Sequence, residues 1–493
     1  MNFITLVGRI IKRCSSMACT VHAEPGFLTS VVQVWVLSAT QNAWRPGVQT
    51  AALETILYLL APILVDIQNH PERHAQLVEA SGGSLGDFAA LVAHLISHMA
   101  NDDMKKSIHF MKTALGTIFV TIYATQTLHS QFPRLLLEQG IVRTLVTTLR
   151  HLHSRSPHGD QALPAGFDTA LAYMIYIIQA LDAGLFQVLA YFLENPRVVG
   201  VEKLRDFFVK TLGCSLAFRS LLIPLRSSLA SVHINVAPDS PNWDTWSFFL
   251  AATDELMPLV QTHDSRDRVS MRACDNVECV RVSRKTDFKS CSGCESVHYC
   301  SRNCQRSDWK RGHSKHCAAI RIHSIKDPET VSHRDLSFFP TMVEDMHTTT
   351  PASILLAKLV VMHRKLNTEH FTTFQYINGE FKVQTEPATR NEPGFKFGRD
   401  FFGPIWDDQL SRVAASGGRM LLHVFVANEG PGKCVGRILP LRMRNGALRA
   451  GLEVLSREVP PGMERPRDFK RHPGFVLRVE ALARLTCRQG EFH

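Results

Sequence analysis

Residues 274–317 read CDNVECVRVSRKTDFKSCSGCESVHYCSRNCQRSDWKRGHSKHC. Their potential ligands fall into four pairs: Cys274 with Cys279, Cys291 with Cys294, Cys300 with Cys304, and His313 with Cys317. Each pair is spaced for two side chains to converge on one ion. Cys291 and Cys294 make a knuckle, and each of the two pairs separated by four residues lies on one helical face. A disulfide framework has no use for a histidine at such a spacing, and an accidental cluster would not carry four short pairs. Eight ligands of this kind make two closed tetrahedral zinc sites. His316 competes with Cys317 for the last position and His298 lies nearby, but thiolate suits zinc better.

With four protein ligands on each ion, no coordination position is left for water or substrate, so both zinc ions are structural. A 44-residue segment buries too little apolar surface to fold alone. Zinc binding, worth about 10 to 16 kcal/mol in small fingers, substitutes for a core.

The stretch CSGC (291–294), Tyr299-Cys300, Cys304-Gln305, Asp308-Trp309, His313 and Cys317 resembles the MYND finger family almost position by position. Two departures leave the ligand logic intact. The first pair has four intervening residues where two are commoner, and three residues rather than two separate Trp309 from His313. The resemblance implies a cross-brace in which Cys274, Cys279, Cys300 and Cys304 hold one zinc while Cys291, Cys294, His313 and Cys317 hold the other. It also implies recognition of a short, proline-containing peptide in a groove beside the last helix. The residues so implied are Gln305 and Trp309, then Tyr299 and Ser301. Against this stands a packing role, with Trp309 filling the finger's small core and Gln305 supporting a turn.

The rest of the chain bounds these readings. At 493 residues, 45% hydrophobic and 20% charged, it is long enough for several ordinary cores. Seven of the twelve cysteines fall inside the finger, which reads as metal binding in a reducing, intracellular compartment, nucleus or cytoplasm. The formal charge of +10 suggests nucleic acid as an alternative partner. Seven thiolates against two divalent ions reduce that charge to +7, however, and the Lys and Arg residues are scattered. The basic residues of the finger read as compensation for its thiolates. At the N-terminus the apolar stretch precedes Arg9, Lys12 and Arg13, the reverse of a secretory signal. The segment is poor in acids until Glu24, as in a mitochondrial presequence, and suits a first core helix equally well. The apolar runs 53–67 and 172–193 are broken by Asp66 and Asp182, so no membrane span is expected.

We read three parts: an all-helical scaffold (1–270), the zinc finger (271–320) and an α+β domain (321–493). In the first part, apolar residues recur two, five and nine positions after Gly26, Gly86, Gly140 and Gly184. The sets are Leu28, Val31, Trp35; Phe88, Leu91, Leu95; Val142, Leu145, Leu149; and Phe186, Leu189, Leu193. Each glycine would end one helix in the left-handed conformation and open the next. The pattern resembles armadillo or HEAT repeats and suggests a solenoid, with a generic helical bundle as the alternative. A last helix is expected after the Pro238–Pro241 region, then a polar hinge at 263–268. In the third part a helix is expected over 351–365. A hairpin should turn at Asn378-Gly379, and strands at 420–428 and 435–443 flank a Gly-Pro-Gly turn.

Other constellations carry less. MYND fingers also accompany SET-type lysine methyltransferases. That fold's Asn-His motif would have to be Asn69-His70, which lies in the helical region, and after the finger only Cys434 and Cys487 remain for its cysteine cluster. His70 and His74 are read as a surface turn opening a helix at Pro71, and His151, His153 and His158 as a polar interhelical loop. No nucleophile elbow, P-loop or dinucleotide fingerprint is present. The sequence therefore points to a non-enzymatic adaptor that recognises a partner peptide, with a place in transcriptional regulation. A SET-type methyltransferase and a nucleic-acid-binding regulator are the alternatives. The oligomeric state is not encoded in any feature we identify.

Overall fold

The computed structural model describes residues 26–40, 71–100, 131–155, 174–195, 201–265, 271–325, 331–364, 369–388, 398–430, 433–443, 445–463 and 465–492. Single positions are described at 53, 55, 56, 60, 122, 125, 128 and 129. The chain divides into two compact units, residues 1–211 with 223–247, and residues 212–222 with 248–493.

In the first unit the described residues form the helices α1 (Phe27–Thr40), α2 (Pro71–Ser81), α3 (Leu85–Ala100), α4 (Phe132–Glu138), α5 (Ile141–Arg155), α6 (Met174–Asp182), α7 (Leu185–Glu194) and α8 (Val201–Asp206). The recurring apolar residues are its core: Leu28, Val31 and Trp35, Phe88, Leu91 and Leu95, Val142 and Leu145, and Phe186, Leu189 and Leu193 are all buried. The side chain of Leu149 lies outside the described set. Gly26, Gly140 and Gly184 take positive φ (79°, 68° and 91°) immediately before α1, α5 and α7. Gly86 does not share that role, because it lies inside α3. The reversal there is made by Gly82 and Gly83 (φ 141° and 89°). Ser84 then caps α3, accepting the Asp87 N–H at 3.1 Å, and this cap fixes the helix start ahead of the glycine.

Pro71 opens α2 as expected, but His74 is buried against Phe88 and His129 rather than exposed in a turn. His151 and His153 belong to the last turn of α5, not to a loop. Residues 1–25, Asn69-His70, His158 and most of 53–67 lie outside the described residues. Among the described residues no helix is long and apolar enough to cross a membrane.

Helices α9 (Arg219–Ala230) and α10 (Trp243–Asp264) contribute to both units. His263 and Asp264 end α10, where Arg219 holds the Asp264 carboxylate through two hydrogen bonds of 2.8 and 2.6 Å. Of the expected hinge, residues 266–268 lie outside the described set. Next come the short strands β1 (Met271–Ala273), β2 (Val282–Arg284), β3 (Lys289–Ser290) and β4 (His298–Tyr299). They are followed by α11 (Arg302–Asp308), a π-turn (Trp309–His313) and α12 (Ser314–Ile325).

Beyond these lie α13 (His333–Thr349), α14 (Pro351–Arg364), β5 (His370–Ile377), β6 (Glu380–Pro387), α15 (Arg399–Phe402), α16 (Pro404–Ala415), β7 (Met420–Gly430), β8 (Lys433–Met443), α17 (Ala447–Arg457), α18 (Pro473–Gln489) and β9 (Gly490–Phe492). The five-stranded sheet runs β6-β5-β7-β8-β9, with β5 parallel to β7 and the other pairs antiparallel. The β5–β6 hairpin turns at Asn378-Gly379, whose φ values of 57° and 81° are those a two-residue turn of this hand requires. The Gly-Pro-Gly turn expected between β7 and β8 includes Pro431 and Gly432, outside the described residues.

Strand alternation splits the core. Leu421 packs with α14, α17 and α18. Met420, Leu422, Val424 and Val426 pack with Trp406 and Val413 of α16. Val277, between the first two cysteines, is part of this second cluster, so the zinc-binding segment shares a core with the sheet.

Candidate metal centre

The eight ligands gather as two groups, Cys274, Cys279, Cys300 and Cys304, and Cys291, Cys294, His313 and Cys317. Within each group every donor atom lies within 4.8 Å of the others. This is the cross-braced pairing that the family resemblance implies. His316 and His298 stay outside both groups.

Local structure explains the convergence. For the first group, pairing of β1 with β2 brings Cys274 and Cys279 to one end of a hairpin, where the Cys274 N–H donates to Arg281 O at 3.0 Å. Cys304 is delivered by the first turn of α11, where Ser301 caps the helix by accepting the Cys304 N–H at 3.2 Å. Cys300 follows β4 and precedes that cap, so this pair does not share a helical face as its spacing predicts. The Sγ separations are 3.7 Å for Cys279–Cys300 and 3.5 Å for Cys300–Cys304. In the second group Cys291 Sγ lies 3.9 Å from Cys317 Sγ, and Cys294 Sγ 3.7 Å from His313 Nε2. A tetrahedron with metal–sulfur bonds of about 2.3 Å has edges of about 3.8 Å, so both groups fit one zinc ion each.

The fit extends to the backbone. A Cβ on Gly293 would stand 2.7 Å from Cys317 Sγ, so the ligand sulfur occupies the space a side chain would need. Glu295 closes the knuckle with φ 59°, and its N–H donates to Cys291 O at 2.8 Å.

Electrostatics point the same way. Burial pushes up the thiols of Cys274, Cys294, Cys300 and Cys317, the last to about 12. Burial also opposes ionisation of Cys291, but hydrogen bonds from the backbone of Cys294 and Gly293 outweigh it and lower that thiol. Four thiolates in one group, and three with an imidazole in the other, crowded this closely require a divalent cation, and zinc supplies it.

The residues implied as peptide contacts separate. Trp309 is 44% exposed, its ring edge-to-face with His313 at 5.8 Å between centroids. Gln305 lies one turn earlier on α11 and is half-buried, while Ser301 is exposed at the cap. Tyr299 is buried at 2% exposure, and its hydroxyl donates to Asp308 Oδ2 at 2.7 Å. Its place is therefore beneath the surface rather than on it. Burial, then the bond to Asp308, raise its phenol far above the ordinary value.

Asp308 opens a set of contacts that sequence reasoning missed. Arg412 of α16 donates from Nη2 to Asp308 at 2.9 Å, from Nε to Asp408 at 2.8 Å and from Nη1 to Asp275 O at 2.6 Å. Burial alone would lower its guanidinium, and the carboxylates of Asp408 and Asp308 more than offset that. Arg419 donates to Val277 O at 2.7 Å, and Arg442 to Cys274 O at 3.2 Å and Asn276 O at 3.5 Å. Three arginines thus hold four consecutive carbonyls, 274 to 277, of the first zinc loop.

Comparison with known proteins finds short matches, those to a hydrolase and to a SET protein falling over this segment. A stretch of 75 residues is 40% identical to ubiquitin carboxyl-terminal hydrolase 19 of Arabidopsis thaliana, 15% of this chain and 11% of that protein. Another, of 52 residues, is 44% identical to an F-box protein of the same plant, 10% of this chain and 14% of the relative. A third, of 91 residues, is 32% identical to SET domain-containing protein 14 of Caenorhabditis elegans, 18% and 17%. The chain therefore spans less than a fifth of the length of each of these relatives. No solved structure matches it. Residues 274–317 match the family model of the MYND finger, and with two zinc-fitting clusters at the family's ligand positions this segment is a MYND finger, a protein-interaction module.

Proposed function

We propose that this chain is a non-catalytic adaptor whose MYND finger takes a short, proline-containing peptide of a partner protein across Gln305 and Trp309, in transcriptional regulation. The observation that carries the reading is Trp309. An indole left 44% exposed yet braced by a zinc ligand is a preformed apolar platform of the kind that dominates peptide interfaces. Gln305, one turn away, offers both a donor and an acceptor. The closed zinc sites leave no position for water or substrate, which supports the non-catalytic reading.

The hydrolase, F-box and SET proteins carry different names and share only short stretches with this chain, so an interaction role fits all three better than any one activity. The relative named for a SET domain keeps a lysine methyltransferase as the alternative, and S-adenosylmethionine binding discriminates it. A nucleic-acid regulator would instead show salt-dependent retention on DNA. The helical region serves as a scaffold with armadillo-like stacking, a reading supported by the left-handed glycines ahead of α1, α5 and α7. A thiolate-rich finger suits the reducing nucleus or cytoplasm.

The test compares proteins co-purifying with the tagged wild type and with Trp309→Ala, once both are shown to hold two zinc ions. Specific partners should vanish from the variant. Identical partner lists would refute the peptide reading.

A further inference from the structure

The surface that carries Trp309 also carries charge. Arg302, Arg306 and Lys310 recur every fourth residue and so form one row, adjacent to the row of Gln305 and Trp309. All three are exposed. Among the described residues none of them enters an ion pair, whereas the neighbouring Arg311 is bound to Glu278 and to Asn276 Oδ1. Nor is a carboxylate available nearby in sequence. Between Glu295 and Asp327 the one acid is Asp308, which is buried and held by Tyr299 and Arg412.

We propose that the finger selects a partner segment bearing Asp or Glu residues beside its proline-containing anchor, with Arg302, Arg306 and Lys310 facing the acids. The proposal rests on the reading that Trp309 and Gln305 form the peptide surface. Charge complementarity decides the occupant: a row of three cations with no carboxylate partner among the described residues, flanking one aromatic platform, fits an extended acidic peptide. Nucleic-acid binders commonly engage about six to ten phosphates, more than this row offers.

The test uses the full-length, zinc-loaded protein on an array of ten-residue peptides with a fixed central proline and randomised flanks, including phosphoserine. Three forms are compared after zinc counting: wild type, Trp309→Ala, and the triple variant Arg302→Gln, Arg306→Gln, Lys310→Gln. Wild type should favour Asp and Glu on one side of the proline by about tenfold at low salt, the scale of a few exposed charge pairs. That preference should fade in high salt and in the triple variant, and return when the charges are restored by Arg302→Lys, Arg306→Lys and Lys310→Arg.

Peptides bound through Trp309 without an acidic preference would overturn the proposal and leave the peptide reading standing. Absence of all peptide binding would overturn both. A strong preference for phosphoserine over Asp and Glu, or tighter binding of a random DNA duplex through the same three residues, would overturn it in favour of a phosphate ligand. The wild-type salt dependence decides the matter even if the triple variant loses zinc.

Discussion

At the scale of single residues the finger is governed by close approach. Gly293 has no side chain because the sulfur of Cys317 stands where one would go, 2.7 Å from its Cβ position. Gly293→Ala should therefore displace that ligand, and elemental analysis should find one zinc per chain instead of two; retention of both ions would show that the knuckle can yield. Arg412 is held by closeness of another kind, buried between Asp308 and Asp408. Replacing it by Met strands two buried carboxylates, and denaturant unfolding should register a loss of about 3 to 5 kcal/mol. A loss under 1 kcal/mol would mean that water reaches those groups. The eight ligands were legible in the sequence because zinc imposes short, fixed spacings. Arg412 was not legible, since its partner Asp308 lies 104 residues away and no local pattern marks an arginine that will be buried.

Between elements the same contrast holds. The Asn378-Gly379 turn, the strands β7 and β8 and the helix at 351–364 follow from local signals: turn chemistry, alternation and helical periodicity. The reversal near Gly86 was misplaced because the Ser84 cap acts at closer range than a lone glycine. The joint between finger and sheet had no such signal. It is built from backbone carbonyls of residues 274 to 277 held by Arg412, Arg419 and Arg442, and from Val277 in the apolar cluster of Phe371 and Trp406. These carbonyls belong to the first zinc loop, so removing zinc should release the arginines too. We predict that chelation, followed by hydrogen exchange, deprotects residues 271–325 together with α16 and the facing parts of β7 and β8. Helices α1 and α3, which hold no ligand, should keep their protection. Loss confined to the finger would show that the arginine contacts survive without the metal, and loss of α3 would show that zinc supports the whole chain.

Over the whole molecule, buried histidines set the response to acid. His74 lies in the first unit and His347 and His423 in the second. Burial lowers His74 and His347 to about 4 each, with His129 and Lys358 respectively adding to the effect, and burial holds His423 well below the ordinary value. His347 and His423 lie 4.9 Å apart between ring centroids, with Phe374 against both and buried Lys358 of α14 acting on each. The sign follows from proton counting. Below pH 6.5 the unfolded chain takes up protons on these rings while the folded chain does not, so stability falls as pH drops. The fall continues to about pH 4, where the folded rings of His74 and His347 titrate as well, and His347 alone accounts for about 3 kcal/mol across that window. Protonation of the zinc ligands adds a second loss in acid, which a zinc-sensitive dye reports separately. The check is the denaturation midpoint between pH 7.5 and 5, measured for wild type and for His347→Leu with His423→Phe. The wild type should weaken steadily before zinc is released. The double variant should show a shallower slope whatever its absolute stability. Equal slopes would mean that the buried imidazoles already carry their protons in the folded chain, and that the packing around β7 accommodates the charge.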